Sequence, residues 1–135
     1  MPLVAVKIKR GNAFSIYVLE ENGSCGLLEF LETVADGELA RFQRYLDRIK
    51  DHGLITNPDQ SKQIANGLFY LRTWGGLRVF YFLDEGKMVI CTNGYMKKKD
   101  KIDPRELKRA EIWKLKYFDA KASATLEYDE DIDQI

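Results

Sequence analysis

Very little of this 135-residue chain suits metal or redox chemistry: it has one histidine, His52, and two cysteines, Cys25 and Cys91. The cysteines fall at no metal-ligand spacing and give no disulfide framework, so they are expected to be ordinary thiols of a cytoplasmic protein. No cluster of acids or histidines argues for a metal, and nothing points to a bound cofactor, so neither is expected. Long apolar runs are missing too. None approaches the ~18 residues of a membrane-spanning helix. At the N-terminus, "MPLVAVKIKRGN" puts its basic residues after the apolar ones, the reverse of a secretory signal. Internal repeats and low-complexity segments are also lacking. What remains is 45% hydrophobic and 31% charged, the balance of one soluble domain with its own core.

Net charge is absent only in total. The chain carries 21 basic and 21 acidic side chains, but residues 119–135 hold one lysine against six acids. That leaves 20 basic and 15 acidic residues on positions 1–118. The expected organisation is therefore a basic body, 1–118, followed by an acidic C-terminal tail, 119–135. Such a tail solubilises, folds over the basic surface or meets a partner. A basic body admits an anionic partner despite the neutral total.

Patterning supplies the elements. "VAVKIKR" (Val4–Arg10) alternates like a strand with one buried face, and "GN" leads into a second strand at "AFSIYVLEE", a hairpin. From Leu27 to Gly53 the period becomes helical: "LLEFLETVA", then a helix capped by Asp36 with Leu39, Phe42, Leu46 and Ile49 on one stripe. Gly53 ends it, and the two helices are read as a helical hairpin. Leu54–Gly67 is polar and reads as a loop. "LFYLRTW", "LRVFYFLD" and "KMVICTNGYM" are β-rich, and the short turns between them make neighbours antiparallel. The last helix starts at Asp103, with Pro104 in its first turn and Glu106 at the capping-box position. Leu107, Ala110, Trp113 and Tyr117 form its buried stripe.

Ordered pieces within Gly67–Phe118 carry a resemblance. Gly67-Leu68 and Leu71-Arg72 are followed by Arg78-Val79 and Tyr81-Phe82, then by Gly94-Tyr95 and Lys97-Lys98. Pro104, Glu106 and Ala110 close the set. In this order they resemble the RelE/HigB toxins of bacterial toxin–antitoxin systems, the phage-derived HigB-like branch above all. The resemblance implies an α+β fold: a small twisted antiparallel sheet with an N-terminal helical hairpin and a C-terminal helix, its helices on one face. It also implies a metal-independent endoribonuclease that cuts mRNA on the ribosome in the cytoplasm, held inactive by a cognate antitoxin. A non-catalytic binding protein of the same fold, or a toxin acting on another target such as gyrase, is the alternative.

Cleavage by 2′-hydroxyl attack needs a proton acceptor, charge stabilisation at phosphorus and a proton donor. Arginine and lysine supply much of this, guanidinium as a two-pronged phosphate ligand and lysine as a point charge or an acid or base. Arg78, Arg72, Lys97 and Lys98 are the catalytic candidates, with Arg78 favoured by the resemblance. The two arginines share a face only if a three-residue loop pairs them across the ladder; a Gly75-Gly76 turn would put them on opposite faces. Lys99, Lys101, Arg105 and Lys108 extend the basic surface toward RNA. Arg109, Lys114 and Lys116 add to it. Tyr70, Tyr81 and Tyr95 are candidates to stack on bases, Tyr81 and Tyr95 because they flank the basic positions. His52 sits in the last turn of its helix and is read as structural. Many RelE-type members place a Tyr or His after the basic pair; here Asp100-Lys101-Ile102-Asp103-Pro104 has neither.

Overall fold

The computed structural model describes residues 2–99, 101–132 and 134–135; Asp100 in the lysine-rich loop and Asp133 in the acidic tail lie outside them. The elements are β1 (Leu3–Arg10), β2 (Ser15–Glu21), α1 (Gly26–Leu31), α2 (Asp36–His52), β3 (Ser61–Ala65), β4 (Leu68–Arg72), β5 (Leu77–Asp84), β6 (Met88–Met96), α3 (Pro104–Ala122) and β7 (Glu127–Glu130).

The strands form one seven-stranded sheet in the order β3-β4-β5-β6-β2-β1-β7. Two local antiparallel pieces build it, the β1–β2 hairpin and the β3–β4–β5–β6 meander. They join through a parallel ladder of Ser15–Val18 on β2 with Met88–Cys91 on β6. A second parallel pairing sets β7 beside β1.

Both faces of the sheet are covered. On one, Val6, Ile16, Val79 and Tyr81 meet Leu27 and Leu31 of α1 and Phe42, Leu46 and Ile49 of α2. On the other, Ala5, Tyr70, Phe80, Phe82 and Ile90 meet Ala110 and Tyr117 of α3. Each buried aliphatic or aromatic side chain contributes roughly 1.5–3 kcal/mol of transfer free energy, so the two clusters are the main source of stability.

This architecture corrects the expected fold class. It is a mixed α/β fold on a large sheet, not a small antiparallel sheet with helices on one face. The expected helical hairpin does not form. α1 has only six residues and lies on β6 and β2, while α2 crosses β1, β2 and β4, so both helices are laid on the sheet. β1 likewise buries both faces, Ala5 toward α3 and Val6 and Ile8 toward α2. A bulge between Lys7 and Lys9 turns Lys9 inward onto Asp47 of α2, at 2.8 Å.

Local signals held better at helix ends. Asp103 caps α3 by accepting the Arg105 N–H at 2.9 Å, with Pro104 in the first turn. Gly53 closes α2, its N–H bonding the Ile49 carbonyl. Asp36, expected to cap α2, is instead its first helical residue after Ala35, where its carboxylate still complements the helix dipole. Cys25 and Cys91 are free and buried, and burial pushes the Cys91 thiol up to about 12.

Candidate nucleic-acid interface

The β4–β5 turn, the end of β6 and the start of α3 meet at one end of the sheet. The β4–β5 register pairs Arg72 with Arg78, and the β5–β6 register pairs Arg78 with Tyr95. Directly paired residues point to the same face, so Arg72, Arg78 and Tyr95 lie with Tyr70 and Phe80 on the α3 side. The turn length decides this. Thr73 N–H bonds the Leu77 carbonyl at 3.0 Å, which closes a loop of Trp74, Gly75 and Gly76. Gly76 N–H bonds the Thr73 carbonyl, and Gly76 takes a φ of +109°, a conformation that suits glycine.

Arg78 is held close. It is 7% exposed, its Nη1 donates to the carbonyls of Leu77 (3.1 Å) and Thr73 (3.4 Å), and its guanidinium lies over the Tyr70 ring. Burial pushes its pKa below the usual value and the facing Arg72 adds to that; Tyr70, Tyr95 and Glu38 act in the opposite sense. Guanidinium nevertheless stays charged at neutral pH. Among the described residues its hydrogen bonds to protein all run through Nη1. The Nε–Nη2 edge, the edge that grips two phosphate oxygens, is not used by them. Arg72 is drawn outward: its Nε donates to the Asp59 carbonyl at 3.1 Å and its Nη2 lies 3.6 Å from the Asp59 carboxylate.

Lys97 continues from β6 beside the turn, its N–H bonding the Gly76 carbonyl at 2.8 Å. Beyond it a cleft of about 1140 Å³ opens, lined by Lys98, Lys99, Lys101, Arg105 and Arg109 among polar and aromatic neighbours. Its position follows from the seam of the sheet. Pairing of β6 with β2 stops at Cys91, whereas pairing with β5 runs on to Met96. The cleft therefore sits where the two parallel strands part at their carboxyl ends, the usual place for a ligand crevice in such sheets.

Phe30 of α1 forms one wall and Trp113 of α3 another. Side chains of β6 fix the start of α3: Asn93 Nδ2 donates to the Glu106 carbonyl (3.0 Å) and carboxylate (3.3 Å), and the Tyr95 hydroxyl accepts the Asp103 N–H (3.3 Å). Glu106 is thus engaged by Asn93 and Arg109, and the expected capping box stays half-made. Burial raises the Tyr95 pKa, so its phenol keeps its proton at neutral pH.

Several anticipated residues stand elsewhere. Tyr81 points to the α1–α2 face, 1% exposed, stacked on Phe69 and hydrogen-bonded to Ser61 at 2.8 Å. Tyr70 is 5% exposed. Neither offers a ring to a base, because a sheet covered on both faces buries its strand aromatics. Lys114 bonds the Asn66 carbonyl, and Lys116 pairs with Glu21 at 3.1 Å. Lys108 is exposed on α3 but is not among the residues that line the cleft. His52 ends α2 and is exposed. It lies about 21 Å along the helix from Glu38, which touches the turn.

Glu38, Asn93 and Trp113 were not singled out from the sequence as parts of this site. Glu38 is 8% exposed, accepts the Thr73 hydroxyl and pairs with Arg41 at 2.9 Å, so α2 anchors the turn. No local motif announces such a contact between residues 35 positions apart. Among the described residues no group of three His, Cys, Asp or Glu is placed to hold a metal ion, and no helix is long and apolar enough to cross a membrane.

No curated protein matches this chain. A family model does, that of the phage-derived protein Gp49-like (DUF891), over residues 29–114. The match runs from α1 through the meander into α3 and so takes in the arginine pair, the lysines and most of the cleft lining. This family lies in the RelE/HigB-like toxin superfamily, and membership is consistent with a toxin of a toxin–antitoxin system, which has an antitoxin as partner. With more than half of its length matched, the chain belongs to the Gp49-like family.

Proposed function

We propose that this protein is the toxin of a type II toxin–antitoxin pair, of the HigB-like branch, and that it cuts mRNA on the ribosome in the cytoplasm. The reading rests above all on the same-face pairing of Arg72 with Arg78 beside Tyr95 and the lysine run. Arg78 grips the scissile phosphate through its Nε–Nη2 edge, and Arg72 adds charge. Lys97 and Lys98 stabilise the phosphorane and serve in proton transfer, taking the place of the Tyr or His lacking at 100–104. The Tyr95 phenol, protonated, donates a hydrogen bond toward the reacting group. Lys99, Lys101 and Arg105 hold the RNA backbone along the cleft. An antitoxin encoded alongside neutralises it.

The test is growth arrest on expression, with mRNA ends mapped in ribosomes. Arrest with codon-positioned mRNA fragments, both lost in Arg78→Ala, supports the reading. Arrest with intact mRNA would sink it in favour of a binding protein or a toxin with another target.

A further inference from the structure

Trp74 has no role in the site described so far, yet it is 94% exposed, the most exposed large apolar side chain among the described residues. Exposed apolar residues on loops are ordinary. The backbone beneath this one is not ordinary, because three elements hold it. Thr73 and Leu77 close the loop, the Thr73 hydroxyl is bound to Glu38, and Gly76 accepts Lys97 N–H. A Cβ on Gly75 would collide with the Glu38 carboxylate, so the turn lies directly on α2. Arg41 offsets the charge of that carboxylate. The indole is therefore presented on a fixed support and is not the end of a loose loop.

Its surroundings decide the partner. Arg72 stands two residues before it, Lys97 touches the turn, and Lys98 and Lys99 follow. Cations around an open aromatic face suit a single-stranded nucleic acid, whose phosphates meet the charges while a base stacks on the ring. We infer that Trp74 is a stacking platform for an RNA base next to the phosphate held by Arg78. This rests on the RNA reading above and names a contact that reading does not require.

The full chain serves for the test. Trp74 and Trp113 are its two tryptophans, so in W113F protein the emission reports Trp74 alone. That emission is followed as an uncleavable 2′-O-methyl single-stranded oligonucleotide is added at low salt. Affinity for the same oligonucleotide, dye-labelled, is measured for wild type, W74A and W74F. Stacking predicts quenched emission, binding about tenfold weaker for W74A, and near wild-type binding for W74F. Thermal midpoints should stay together, since the side chain has no core contact. If wild type and W74A bind alike and the emission is unmoved, the stacking role is wrong while the RNA reading stands. If wild type binds neither the oligonucleotide nor mRNA-programmed ribosomes, both fail. Quenching by the antitoxin alone would mark Trp74 as a protein contact and overturn the inference.

Discussion

Arg72 and Arg78 face each other directly across the β4–β5 ladder, two positive charges on one side of a sheet. Like charges so placed are destabilising, and here Asp59 draws one away while Tyr70 underlies the other. An anion between them would relieve what remains. Replacing Arg78 with alanine should lower mRNA cleavage by about 10²–10³-fold, the usual cost of a donor to developing charge. Arg78→Lys should recover only part, because lysine lacks the forked edge. Cleavage rates on programmed ribosomes measure this, and an unimpaired Arg78→Ala would remove Arg78 from the mechanism.

Gly94 faces Val79 on the ladder, and a Cβ there would sit 2.9 Å from the Arg78 carbonyl and 3.1 Å from Phe30. Gly94→Ala should therefore destabilise by about 1–3 kcal/mol through overpacking. It should also disturb the Arg78 backbone, so activity falls even at temperatures where the variant is folded. Urea unfolding together with the cleavage assay checks both; a variant as stable as wild type would show that β6 and α1 give way freely.

At the other end of the sheet, Asp84 accepts from the Tyr117 hydroxyl at 2.6 Å and pairs with Lys121 at 2.8 Å. Burial would raise its pKa, but the bonds from Lys121, Tyr117 and the Glu85 N–H outweigh this and hold the carboxyl below its ordinary 3.8. A lowered folded-state pKa gives stability that is complete above the unfolded value and lost as pH falls through the folded one. Wild type should thus lose stability below about pH 4 more steeply than Asp84→Asn. Urea midpoints at neutral pH and near pH 3 report the difference; parallel losses would assign the acid sensitivity to other carboxylates.

Deleting residues 127–135 should expose the edge of β1, which β7 pairs along Val4–Lys7. Glu130, which pairs with Arg10, is lost as well, and so is Ile135, which packs on the α1–α2 core. A bare edge strand templates pairing with another chain, so the truncated protein should self-associate in light scattering and melt several degrees lower. A stable monomer after deletion would show β7 to be dispensable.

Much of the fold could be read from local pattern. The β1–β2 hairpin, the β4–β5–β6 meander and the start of α3 each follow from turn residues or a cap within a few positions. β3 escaped notice because "SKQIA" is a polar edge strand with only Ser61 buried. β7 escaped because its four residues are all exposed and mostly acidic. The helical hairpin failed for another reason: an amphipathic stripe shows that a helix is covered, not by what. The site was legible as residue types, and the arginine register was open between two turns. The Thr73–Leu77 closure settles it in the structure, and Glu38, 35 positions away, accepts the Thr73 hydroxyl at that turn. Tyr81 was misread because burial from both sides leaves no alternation to see.

The parallel seam between β2 and β6 has a consequence for how the protein comes into being. Each half of the sheet zips from near neighbours, but Ser15 must find Met88 across most of the chain, a loop of about 70 residues whose closure opposes early pairing. Folding of the seam is therefore expected to be slow compared with either half. The basic cleft takes Phe30 from beyond β2 and its lysines from beyond β6, so neither half contains it. A chain emerging from synthesis has a hairpin, then a meander that already carries Arg72, Arg78 and Tyr95, and gains the Phe30 wall of its cleft only in the final act of joining them.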